Sequence, residues 1–253
     1  MNENSENSKG RKFVRRIRTV LILLAVVVLL LAIGFEFYVS DYYHANDAAV
    51  SCTTDADYSI NVNDTDNVIE VGSADSRYGI VFYPGGKVEP KAYIPLACKF
   101  AQRGVFCVIA KMPFNLAVLN INVANDIIQA HPNIQTWWVG GHSLGGSMAA
   151  QYAGNNADKI DGVALLAAYS TSDLTKLGLK VQVVYGSNDE VVNKEKLKDT
   201  ISQIGEACSL EIEGGNHAGF GDYGLQDGDG VATISSDEQQ EQAVIAIVNA
   251  LTN

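Results

Sequence analysis

Gly141-His142-Ser143-Leu144-Gly145 frames one serine with glycines, between the apolar run "TWWV" at 136–139 and a small-residue helical pattern. With a strand before it and a helix after it, this G-x-S-x-G spacing places the serine on a sharp, strained turn that lifts its hydroxyl above a sheet edge. The residues two before and two after are forced together, so both must lack side chains. Gly146 lets the helix begin tight against the neighbouring strand. The helix start also offers unpaired N–H groups and a partial positive charge to an anion forming beside the serine. The chemistry this prepares is nucleophilic attack by Ser143; the plain alternative is a glycine-rich turn with no chemistry.

A serine hydroxyl is a weak nucleophile until a base takes its proton. Four histidines exist. His44 lies in a polar linker, His131 ends a helix before Pro132, and His142 is inside the turn itself. His217, in "EIEGGNHAGFGDYG", follows the last strand pattern in a glycine-rich loop able to present a mobile imidazole. The acid that fixes its tautomer is expected at Asp189 in "VVYGSNDEVV", with Glu190 the nearest competitor and Asp222 a reserve. The oxyanion donors are expected at the N–H groups of Gly86, in "FYPGGKV", and of Leu144, the residue after the nucleophile. Gly85-Gly86-Lys87 is no phosphate loop, because Val88 replaces the Ser/Thr and the preceding glycine is missing. No Cys/His spacing suits zinc, and no metal or cofactor is expected. "LQDGDG" places Asp227 and Asp229 at a calcium-like spacing without the rest of such a loop, so a solvated turn is expected there.

These residues need elements to position them. Strand patterns fall at 58–63, 67–71, 78–83, 105–110, 136–140, 162–168, 180–185 and 208–212. Helical patterns fall near 90–103, 119–131, 144–154, 193–205 and 236–251. The strands after residue 78 are apolar throughout, as strands buried on both faces are. Alternating elements of this kind predict an α/β fold, with a mostly parallel central sheet flanked by helices.

From about residue 78 onward the chain resembles the α/β-hydrolase superfamily. "YPGGKV", "MPFNLAVLN", "GGHSLGG" and "GGNHAGFGDYG" resemble a small bacterial subgroup that is often membrane-anchored. The order Ser143…Asp189…His217 is the one expected of that fold. The resemblance implies a Ser-His-Asp mechanism on these residues and an acyl or ester small-molecule substrate. The sequence departs from many esterases in carrying Pro84-Gly85 where they have His-Gly. An acyltransferase with the same triad and a non-catalytic binding domain are the alternatives. Residues 169–179 are too short for a cap domain, so an open site favouring short, soluble acyl esters is expected.

The rest of the chain sets the context. Residues 1–19 carry a net charge of +4 and the remainder −15; an acidic body repels phosphate backbones, so no nucleic-acid partner is expected. The basic flank leads into "VLILLAVVVLLLAIGFEFYV" at 20–39, about the 20 residues that cross a bilayer. The expected organisation is a cytoplasmic segment at 1–19, a single transmembrane anchor at 20–39, a linker at 40–57 and a catalytic domain at 58–253. With the basic flank inside, that domain lies outside the cytoplasm. The alternative is secretion after cleavage near Gly34. Cys98, Cys107 and Cys208 read as buried small hydrophobes.

Overall fold

The computed structural model describes residues 3–47, 49, 60–205 and 208–253. Two compact units divide the chain, Met1–Asp41 and Tyr42–Asn253. The first is one helix, α1 (Glu3–Ser40). Its segment Arg15–Ser40 is long and apolar enough to cross a membrane.

The second unit carries an eight-stranded sheet. Its strands are β1 (Val62–Asp64), β2 (Val68–Val71), β3 (Tyr78–Tyr83), β4 (Val105–Ala110), β5 (Thr136–His142), β6 (Gly162–Leu166), β7 (Lys180–Gly186) and β8 (Ser209–Ile212). They lie in the order β1-β2-β4-β3-β5-β6-β7-β8. β1 pairs with β2 and β2 with β4 antiparallel; every other pair is parallel. The helices are α2 (Ile94–Gln102), α3 (Val123–Ala130), α4 (Leu144–Asn155), α5 (Lys194–Ile204) and α6 (Ser236–Thr252).

The period of two in the central strands sorts side chains onto two faces. Ile80, Phe82 and Trp138 join residues of α2 and α6 in one core. Val81, Tyr83 and Trp137 join residues of α3, α4 and α5 in the other. The adjacent tryptophans therefore serve opposite faces, and both are buried. Ser235 starts α6 by accepting the Glu238 N–H at 3.1 Å, and Asn193 starts α5 by accepting that of Lys196 at 3.0 Å.

Boundaries shift for local reasons. β6 stops at Leu166 because Ala167 turns to φ 47°, out of the pleat. The helical stretch from residue 90 opens with a 3-10 turn, Pro90–Tyr93. Strand β1 begins at Val62; residues 58 and 59, and Cys52 with them, lie outside the described residues. Among the described residues, the β6–β7 connection holds one short 3-10 turn, Thr175–Leu177, and no cap domain. Tyr43, within the stretch expected as linker, is hydrogen-bonded to the globular unit. Its N–H donates to Lys87 O at 2.7 Å and its carbonyl accepts from Glu89 N at 2.9 Å. Among the described residues, Cys107 and Cys208 are free thiols, Cys107 buried and Cys208 half-buried.

Candidate active site

Ser143 joins β5 to α4 with φ 52° and ψ −122°, a conformation that costs a serine about 1–3 kcal/mol. Its N–H donates to Leu166 O at 2.9 Å, and its carbonyl accepts from Ser147 N at 3.1 Å. The crossing leaves no room for side chains. A Cβ on Gly145 would strike the carbonyl oxygens of Tyr83 and Pro84, and one on Gly146 would lie 2.6 Å from Gly141 O. The glycines thus admit the turn, and the surrounding backbone holds Ser143 in it.

Asp189 follows β7 and His217 follows β8, so both stand at the same sheet edge as Ser143. Each is about 1% exposed. Asp189 Oδ2 and His217 Nδ1 are 2.8 Å apart. Asp189 Oδ1 accepts the N–H groups of Val191 at 2.9 Å and Val192 at 2.8 Å. An ionised carboxylate only accepts, so Nδ1 carries the imidazole proton and Nε2 is the basic nitrogen. Nε2 is buried and has no hydrogen-bond partner among the described residues, Ser143 Oγ included.

The loop that presents His217 is held through its main chain. His217 N–H donates to Asp229 Oδ1 at 3.2 Å and Ala218 N–H to Asp229 Oδ2 at 2.8 Å. Glu190 N–H reaches the same carboxylate at 3.4 Å, so Asp229 ties the loop of Asp189 to the loop of His217. Gln239, buried on α6, brackets the main chain of Asn216 from the other side, accepting its N–H at 3.0 Å and donating to its carbonyl at 2.7 Å. Asp229 is therefore no solvated turn residue; main-chain donors occupy its oxygens.

Gly86 and Leu144 are neighbours in space, since a Cβ on Gly86 would lie 2.9 Å from Leu144 Cδ2. Leu144 opens α4, where an N–H has no intrahelical acceptor. The Gly85 N–H is already engaged, donating to the Tyr93 phenol oxygen at 3.0 Å. That oxygen lies 2.8 Å from His142 Nδ1. The His142 ring packs 4.6 Å, centroid to centroid, from that of His217. Burial, then the neighbouring His217, holds the His142 imidazole well below its ordinary 6.5, against an opposing pull from the His217 main chain. Burial also raises the Tyr93 phenol far above its usual range.

The remaining sequence candidates lie elsewhere. Glu190 is exposed. The Asp222 carboxylate accepts from Ser236 Oγ at 3.0 Å and Gln240 Nε2 at 2.8 Å, on α6. His131 pairs with Glu70 at 3.1 Å and His44 stands 3.7 Å from Glu89. A cavity of about 490 Å³ lies behind Asp189, among residues of β7, β8 and α5, and is lined by neither Ser143 nor His217. Sequence reading missed Tyr93 and Gln239, which no motif marks. Asp229 was visible only as a carboxylate in a loop.

A strained serine at the end of a central parallel strand, with a paired acid and histidine on the loops after later strands, defines an α/β protein of hydrolase type. The model of the alpha/beta hydrolase family matches residues 79–241, and the chain belongs to that family. No curated protein matches it. Among solved structures it is similar to a predicted CIB-like hydrolase from Thermoplasma acidophilum, with 16% identity, 75% of this chain and 97% of that one covered, and a TM-score of 0.54. Est1E from Butyrivibrio proteoclasticus aligns at 13% identity over 77% and 99% of the two chains, with a TM-score of 0.54. The esterase Est2 from Thermogutta terrifontis aligns at 16% identity over 75% and 91%, with a TM-score of 0.50. At these identities the likeness is one of fold.

Proposed function

We propose that the protein is a serine hydrolase of carboxylic esters or related acyl compounds, working through an acyl-enzyme. The observation that carries this reading is the buried Asp189–His217 pair, which leaves Nε2 basic and without a partner at the sheet edge where Ser143 is strained. A buried polar atom without a partner is rare and needs a reason; a serine hydroxyl that aligns when substrate binds supplies one.

In the proposed reaction Ser143 Oγ attacks the acyl carbon as its proton passes to His217 Nε2. The carbonyl π electrons move onto oxygen, and the N–H groups of Gly86 and Leu144 stabilise the oxyanion. Asp189 holds the imidazolium in place. Collapse expels the alcohol, which takes the proton from Nε2 and leaves the acyl group on Ser143. Water, deprotonated by His217, then releases the acid and regenerates the serine. The Thermogutta terrifontis esterase, a relative in fold, has been seen phosphoramylated by tabun. Reactivity toward organophosphorus reagents is what the present reading predicts.

The helix Arg15–Ser40 supports a signal-anchor reading, with residues 1–19 cytoplasmic and the globular unit outside the cytoplasm. Cleavage near Gly34 is the competing fate. The test of the chemistry is a fluorophosphonate probe. It labels the wild type and leaves Ser143→Ala unlabelled, with turnover of p-nitrophenyl esters reduced by several orders of magnitude. Labelling retained in a folded Ser143→Ala removes the assignment.

A further inference from the structure

We propose that Tyr43 is a positioning residue for the oxyanion site: it braces the turn that aims the Gly86 N–H and ties that turn to the loop of His217. This rests on the hydrolase reading above. It adds a working part of the site that lies outside residues 79–241, where the family model matches, yet within the same compact unit, Tyr42–Asn253.

The first observation concerns the turn. Val88 N–H donates to Gly85 O at 3.2 Å, closing Gly85-Gly86-Lys87-Val88 into a turn. Gly85 O and the Gly86 N–H belong to one planar trans peptide, so they point opposite ways, and the bond that fixes one aims the other. The Gly86 N–H itself has no acceptor among the described residues. Lys87 stands at φ 59°, a conformation that persists only where the surrounding structure imposes it.

The groups that impose it can be named. The Gly85 N–H is held by the Tyr93 phenol oxygen at 3.0 Å, and the Lys87 N–H by Asn115 O at 2.8 Å. Tyr43 holds the far end. Its N–H donates to Lys87 O at 2.7 Å and its carbonyl accepts the Glu89 N–H at 2.9 Å, a parallel bridge opposite the buried Val88. Main-chain bonds on both sides of Val88 thus seat the residue whose N–H fixes Gly85 O.

The second observation is that the same residue reaches the histidine loop. The Tyr43 hydroxyl accepts the Asp227 N–H at 3.2 Å, and its ring lies 5.5 Å, centroid to centroid, from that of Tyr223. Further along, Asn46 N–H donates to Asp222 O at 2.8 Å. Asp222, Tyr223 and Asp227 lie between His217 and Asp229, whose carboxylate receives the His217 and Ala218 N–H groups. The segment from Tyr43 to Asn46 is therefore a strap across both loops. An oxyanion donor works only at the place where charge develops, and a misplacement of about 1 Å can cost roughly a hundredfold.

The test uses the full chain and p-nitrophenyl acetate, well below the melting temperature of each variant. Tyr43→Pro lacks the N–H that Lys87 O accepts. It is expected to lower kcat about tenfold with KM changed by less than about twofold. The pH profile of kcat/KM should stay in place, because Asp189 and His217 bond to each other and not to the strap. Gly86→Pro lacks the oxyanion N–H, so adding Tyr43→Pro to it is expected to cost no more than about a further twofold. An unchanged kcat in Tyr43→Pro, a loss confined to KM, or the full tenfold loss repeated on Gly86→Pro overturns the proposal. Should Tyr43→Pro not fold, Tyr43→Ala decides by the same split. It keeps the N–H but loses the ring and the Asp227 contact; about threefold lower kcat is expected, and an unchanged kcat overturns the proposal. A wild type that turns over no ester and is unlabelled at Ser143 removes the hydrolase reading and this proposal together, whereas an active wild type with kcat indifferent to Tyr43 removes this proposal alone.

Discussion

The Tyr93 hydroxyl accepts the Gly85 N–H at 3.0 Å and lies 2.8 Å from His142 Nδ1, so one buried phenol bridges the Gly85-Gly86 loop to the residue before Ser143. Its single proton has one acceptor to reach, which makes His142 Nδ1 the acceptor and puts the neutral ring's proton on Nε2. The chain of donors therefore runs from Gly85 through Tyr93 to His142.

Tyr93→Phe removes both bonds, leaving a buried N–H and a buried ring nitrogen unpaired at a cost of about 1–3 kcal/mol. We expect kcat to fall about tenfold with KM little changed, less than the 10²–10³ of losing an oxyanion donor itself. His142→Asn, whose Oδ1 can stand in for Nδ1, should restore more activity than His142→Leu. Equal kinetics in the two His142 variants would show that the bridge does not position the loop.

The buried His142 makes stability depend on pH. Its folded value is depressed below the ordinary 6.5, so on acidification the unfolded chain takes up a proton that the folded chain refuses. Stability is then fully present above pH 6.5 and is lost as pH falls below it, by up to about 1.4 kcal/mol per pH unit. Thermal melts between pH 7.5 and 5.5 should show this slope in the wild type and a shallower one in His142→Asn. Parallel slopes would assign the dependence to other groups.

Asp229 is expected to matter to catalysis without touching substrate. Asp229→Asn replaces one accepting oxygen by a donor facing main-chain N–H groups of His217, Ala218 or Glu190. The variant should lose about 1–3 kcal/mol of stability and roughly tenfold in kcat/KM, measured by denaturant melts and ester hydrolysis. Calcium or a chelator should change neither protein. A calcium-dependent rise in stability would instead make Asp229 a metal ligand.

The anchor reading places the C-terminus outside the cytoplasm. A reporter that is active only after export, fused after Asn253, should be active, and the protein should remain in the membrane fraction at its full length of 253 residues. Recovery of a shortened form from the medium would instead support cleavage near Gly34.

Much of this molecule was legible along the chain because it depends on local physics. The glycines at 141, 145 and 146 are dictated by a turn that tolerates no Cβ, so Ser143 could be singled out from spacing alone. Uniformly apolar strands announced a sheet covered on both faces, and the run at 20–39 announced a segment long enough for a bilayer. Tertiary structure decided what depends on distant pairing. The antiparallel β1 and β2 and the strand order follow from which edges meet, which no periodicity records. Asp189 could be ranked above Glu190 by loop position, but its burial and its bond to His217 arise from two loops 28 residues apart. Tyr93, Asp229 and Gln239 carry no motif because any donor or acceptor of the right reach would serve a backbone group. Their identity became readable only when folding brought those backbone groups beside them, in a buried place where unpaired hydrogen bonds are costly.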